Sequence, residues 1–145
     1  MSSVSRRRQA LVALVAAVAA VTTDVGYLQL IGSQGSAPGG RVVAFIAAYI
    51  GAIAVAAGVA AVLIIRRHAT AAGTVLAGAA TGSMALGVLG IFSIGLALLI
   101  TAVFLGIAAA GTIPAHRRAA DWLPQVGAGA AWLVVLAAGM TLANS

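Results

Sequence analysis

Apolar residues come in long uninterrupted blocks along this chain, and each block stops where a short polar or arginine-bearing segment begins. The first block, residues 10–31, is long enough to cross a hydrocarbon core of ~30 Å as an α-helix rising ~1.5 Å per residue. A polar stretch with Ser33, Gln34, Ser36 and Pro38 separates it from the second block, residues 42–65, which Arg66 and Arg67 end. The third block, residues 69–113, carries no formal charge, and as a single helix it would be about 67 Å long. It must fold back on itself, and the clustered Gly87, Gly90, Ser93 and Gly95 mark the place. A final block covers residues 126–142.

The pattern predicts an all-α integral membrane protein, one compact bundle of about five transmembrane helices: 10–31, 42–65, 71–88, 94–113 and 126–142. A tail (1–9), an inner loop (66–70) and an inner interfacial segment (114–125) lie on one side. An outer loop (32–41), an outer turn (89–93) and a short tail (143–145) lie on the other.

Composition strengthens this reading. Hydrophobic residues make up 63% of the chain and charged residues only 7%, and mean hydropathy is +1.15, more apolar surface than a soluble domain of 145 residues can bury. Charge then sets orientation. Arg6, Arg7 and Arg8 precede the first span, Arg66, Arg67 and His68 follow the second, and His116, Arg117 and Arg118 follow the fourth. Cytoplasmic loops collect Arg, so these clusters are the topology determinants and put the N-terminus inside and the C-terminus outside. The sequence pI of about 11.8 does not point to nucleic acid, because the arginines sit at helix ends and form no stripe with interleaved aromatics. Lys and Glu are absent, and Ala and Gly dominate, a bias typical of GC-rich bacterial genomes. The expected location is a bacterial cytoplasmic membrane.

The N-terminal segment has a second reading. Ser5 to Arg8 followed by residues 10–21, with the small pattern Ala17-Val18-Ala19, has the layout of a secretory signal. Apolar character resumes after Thr22, Thr23 and Asp24 and continues to Ile31, which favours a retained span.

Asp24 is the charged residue that falls inside a span, about 10 Å from its outer boundary. An ionised carboxylate at mid-membrane costs roughly 2.5–3.5 kcal/mol on insertion scales and less towards the interface, so this one must face protein or water or carry a proton. Ala10, Ala13, Ala17 and Ala20 share its helix face, whereas Leu11, Val15 and Val18 lie opposite. The functional expectation is a proton- or cation-binding carboxylate with Tyr27 and Tyr49 as hydroxyl partners. The structural expectation is an ion pair with Arg41, at the outer start of the second span, or a bond to Thr22 or Thr23.

The second span carries small residues at steps of three and four: Ala44, Ala47, Gly51, Ala54, Gly58 and Ala61. The third adds the pair Gly78 and Gly82. Both patterns let helix backbones approach closely, within one chain or between copies in a homo-oligomer. The two hairpins after the first span each carry two arginines and a histidine in their loop, the layout of a parallel internal repeat.

Chemistry is sparse. Zero cysteines exclude disulfides, thiol catalysis and cysteine-held metal. His68, His116 and Asp121 come nearest to a metal set, but the arginines beside each histidine oppose a bound cation. Asp121 follows Arg117 by four residues, the spacing of a local ion pair. No P-loop, dinucleotide fingerprint, paired carboxylates or activated nucleophile is present, so neither an enzyme nor a cofactor is expected. Two classes remain: a small accessory or interaction component of the membrane, whose partners are the bilayer and other membrane proteins, or a proton-coupled small-solute transporter or channel using Asp24.

Overall fold

A computed structural model describes residues 3–33, 40–90, 95–112 and 122–145. Those residues form five helices: α1 (Ser3–Ser33), α2 (Gly40–Ile65), α3 (Ala69–Leu89), α4 (Gly95–Gly111) and α5 (Leu123–Asn144). Four of them, α1, α2, α3 and α5, are long and apolar enough to cross a membrane. Helix α4 has 17 residues and, at about 25 Å, reaches the lower limit of a spanning helix. Every helix except α4 runs past the apolar block that predicted it, and α1 starts seven residues earlier than position 10, taking in Arg6–Arg8. Backbone hydrogen bonding does not stop at the edge of hydrocarbon, so apolar blocks mark the membrane-embedded part and understate the helix.

Helices α1, α2, α3 and α4 close a four-membered ring, each packing on the next and α4 returning to α1. Helix α5 lies outside it against α3 and, more lightly, α2. The ring interior is lined by Ala13, Ala16 and Ala20 from α1, Ile50, Ile53, Ala57 and Ile64 from α2, Leu76 and Ala79 from α3, and Leu98 and Leu105 from α4. Leu11, Val15 and Val18 are exposed on the far side of α1. On α1, small residues face inside and branched ones outside, as suits a membrane, because lipid solvates Leu as well as a protein core does and close backbone approach drives association instead.

Local geometry explains the two hairpins. At the α2–α3 turn, the amide of His68 donates to Leu63 O (2.8 Å) and that of Arg67 to Ile64 O (3.2 Å). This is the paired bonding of a Schellman stop, with Arg67 at φ 69° in the left-handed position that usually holds Gly. The α3–α4 connection depends on glycine for space. A side chain on Gly95 would collide with the Gly87 carbonyl, and the Gly95 amide bonds to Gly90 O at 2.7 Å. Residues 91–94 lie outside the described segments, and the expected turn at 89–93 falls mostly there.

Candidate functional site

Three assemblies bring chemistry-bearing side chains together, and the first surrounds Asp24. Helix α1 carries it level with Gly51 of α2: a Cβ built on Gly51 would lie 3.9 Å from Asp24 Oδ2. The other carboxylate oxygen, Oδ1, is buried and has no hydrogen-bond partner. The candidate partners point elsewhere. Arg41 lies ten residues nearer the start of α2, about 15 Å along its axis, and no ion pair joins it to Asp24. Thr22 and Thr23 donate to Val18 O (2.9 Å) and Ala19 O (2.8 Å) of their own helix. Tyr49 sits two residues before Gly51, roughly 200° round α2, and its hydroxyl donates to Trp132 O at 3.0 Å. Tyr27 is buried on the Asp24 face without a hydrogen bond to it. Of the residues grouped with Asp24 in the sequence, only Tyr27 shares its surroundings.

The second assembly clasps α5 to the ring. Gly78 and Gly82 form a notch on α3 that receives Trp132: a Cβ on Gly78 would stand 2.9 Å from the indole Cδ1, and one on Gly82 the same distance from Cε3. The Tyr49 ring meets the Trp132 indole edge to face, with centroids 5.1 Å apart, and Phe45 stacks obliquely on Tyr49 at 5.9 Å. Phe45 in turn covers Gly139 of α5, where any side chain would strike its ring. The glycine pair therefore serves packing within the chain. The α2 series divides: Ala54 and Ala61 are buried, Ala47 and Gly51 half-buried, Ala44 exposed, and a Cβ on Gly58 would meet nothing within 4 Å. Three neighbours surround α2, so its buried line shifts round to Ile50, Ile53, Ala57, Ala60 and Ile64, and the series forms the edge of that contact.

The third assembly lies at the end of the bundle that carries Arg6–Arg8, Arg66 and Arg67, and nothing in the sequence reading singled it out. Gln9 of α1 donates through Nε2 to the Gly111 carbonyl of α4, and its Oε1 is buried without a partner. Thr112 donates to Ala109 O at 2.7 Å, while its Oγ1 and Gln125 Nε2 both press on Gly73 of α3. Gln125 is 8% exposed and its Nε2 is unpartnered. The signal was present: Gln9 and Gln125 each stand one position outside an apolar block, at the same end of the bundle once the chain is threaded. These contacts bring the starts of α1, α3 and α5 and the end of α4 to the same end of the bundle, where the arginines of α1 and of the α2–α3 turn also lie.

Two grooves lie beside these assemblies. The larger, about 1020 Å³, opens between α4 and α5 over α3 and is lined by apolar side chains such as Met84, Val103, Leu133 and Met140. Its single hydroxyl, on Thr81, already donates to Ala77 O at 2.9 Å. The smaller, about 340 Å³, lies between α2 and α5 beside the Tyr49–Trp132 contact. Among the described residues, the buried hydroxyls inside the ring include Ser83 and Thr101; Thr101 bonds to Ala97 O at 3.0 Å, whereas Ser83 Oγ has no hydrogen-bond partner. Among the described residues no three His, Asp or Glu side chains gather as a metal site, and His116, Arg117, Arg118 and Asp121 fall outside those residues. Comparison with protein-family profiles, curated proteins and solved structures gives no match.

Proposed function

We propose that this chain is a small accessory or interaction component of a bacterial cytoplasmic membrane, held with its arginine-bearing end inside and engaging another membrane protein through its helices. The observation that carries this reading is the apolar lining of the two grooves, which offers a solute almost nothing polar to bind. The larger groove has one hydroxyl, which is engaged, and the ring interior is filled with Ala, Ile and Leu. A transporter must offer its substrate replacements for lost hydration, and intramembrane polar groups are the usual ones.

A second reading, proton-coupled transport through Asp24, draws support from one feature, the unpartnered Asp24 Oδ1. Purified protein in liposomes loaded with a pH-sensitive dye tests both. Under an imposed pH gradient the accessory reading predicts dye response equal to that of empty liposomes. Flux above that level, lost in Asp24→Asn with helicity unchanged, contradicts it and supports transport.

A further inference from the structure

Asp24 combines three properties that its own chain leaves unresolved. It lies inside a span; one oxygen is buried without a hydrogen bond; and no Arg, Lys or His of the described residues pairs with it. An unpaired ionised carboxylate within hydrocarbon is costly, and a cation at the same depth relieves that cost while keeping the charge.

Its position is the rim of the bundle. On α1 the buried Ala20 and Tyr27 lie to one side of Asp24 and the exposed Val21, Val25 and Leu28 to the other. Beside it, α2 presents Ala44, Gly51 and Gly58 at seven-residue intervals, one line along the helix. Asp24 Oδ2 stands over the half-buried Gly51, while Ala44 above it is exposed and a Cβ on Gly58 below it would meet nothing within 4 Å, so the line is open on either side of Asp24. A further helix has room to approach α2 closely there.

A second copy does not meet the need. Within residues 10–31, 42–65, 71–88, 94–113 and 126–142 there is no Arg, Lys or His, so self-association brings no cation to the level of Asp24. Resting on the interaction reading above, the geometry points to Asp24 as the docking point for a basic side chain on a membrane-spanning helix of a different protein, seated against α1 and α2 where they meet. The carboxylate supplies the depth at which the partner's cation must lie, and the α2 small-residue line supplies the close approach.

The test uses the full chain in phosphatidylcholine vesicles and a synthetic Leu/Ala spanning peptide carrying one Arg about 10 Å inside the outer boundary. Two control peptides carry Gln at that position or Arg at the same depth in the opposite leaflet. Association is read by energy transfer between labels on protein and peptide. The expected result is at least about tenfold tighter association of the outer-leaflet Arg peptide than of either control. Asp24→Asn should erase that preference, and Gly58→Leu should weaken association while leaving Asp24 in place.

Equal association of the three peptides with the unaltered protein overturns the proposal without requiring any variant to fold. Persistence of the preference in Asp24→Asn overturns it as well. Photo-cross-linking in cells from position 58 separates this result from the broader reading. A discrete adduct without peptide preference leaves an interaction component standing and removes Asp24 as its docking point. No adduct, together with Asp24-dependent proton flux, overturns both.

Discussion

Tyr49 donates its hydroxyl to a backbone carbonyl of a different helix, and that carbonyl belongs to the residue whose indole fills the Gly78–Gly82 notch. Two kinds of interaction thus converge on Trp132. Tyr49→Phe removes the hydrogen bond and keeps the ring contact, so it should lower stability by about 0.5–1.5 kcal/mol, read by reversible unfolding in mixed micelles. Gly82→Val should cost more, because its Cβ would meet both the Tyr49 hydroxyl (2.7 Å) and the indole. An increase in Trp132 solvent accessibility, measured by quenching, is the expected sign, and an unchanged quenching constant would contradict the notch. The Ala face around Asp24 was legible in the sequence, since helical spacing alone assigns Ala10, Ala13, Ala17 and Ala20 to one side. The bond from Tyr49 was not. Spacing tells which residues share a face of α2 but not which of three neighbours that face will meet. Gln9 and Gln125 escaped for a different reason, because scanning for apolar blocks discards the position just outside each block, where polar side chains cap a bundle.

At the scale of elements, the α2–α3 turn sets two demands against each other. Its Schellman geometry favours Gly at position 67, and the left-handed conformation costs an L-residue on the order of 1–2 kcal/mol. The positive-inside bias favours Arg. Arg67→Gly should therefore raise folding stability by about 0.5 kcal/mol once the greater chain entropy of Gly is subtracted, and reduce the fraction of molecules inserted in the correct orientation. A micelle unfolding assay and a protease-protection assay read the two effects separately, and a fall in stability would contradict the strain assigned to this turn. The split of the long apolar block into α3 and α4 was legible from length, since no bilayer accommodates one helix of that span. The place of the split was legible as a glycine cluster, and close approach of the Gly87 and Gly95 backbones explains why glycine is needed there.

The whole molecule is a closed ring of four helices with a fifth clasped to its side. The ring interior has few atoms to spare. Ala16 and Ala79 are fully buried, and Ala79→Leu should destabilise the bundle by roughly 1–3 kcal/mol through overpacking. The same substitution at Ala130, exposed on α5, should be close to neutral, and comparing the two by thermal aggregation in detergent distinguishes a packed interior from a loose one. That five helices would form was readable from the pattern of blocks. Which helices close the ring and which stays outside was not, because Ala-rich faces are nearly interchangeable at this level and the choice rests on Trp132, Tyr49 and the interhelical bond of Gln9.

Everything proposed for Asp24 depends on how the chain is threaded, so the most direct measurement is cysteine accessibility. The natural chain has no cysteine, and single substitutions at Ser36, Ser93, His116 and Ser145 each give a unique reporter. In intact cells, an impermeant thiol reagent should label positions 36, 93 and 145 and leave 116 unlabelled until the membrane is permeabilised. Labelling of position 116 in intact cells would contradict the five-span threading with the arginine-bearing end inside, and with it the depth assigned to Asp24.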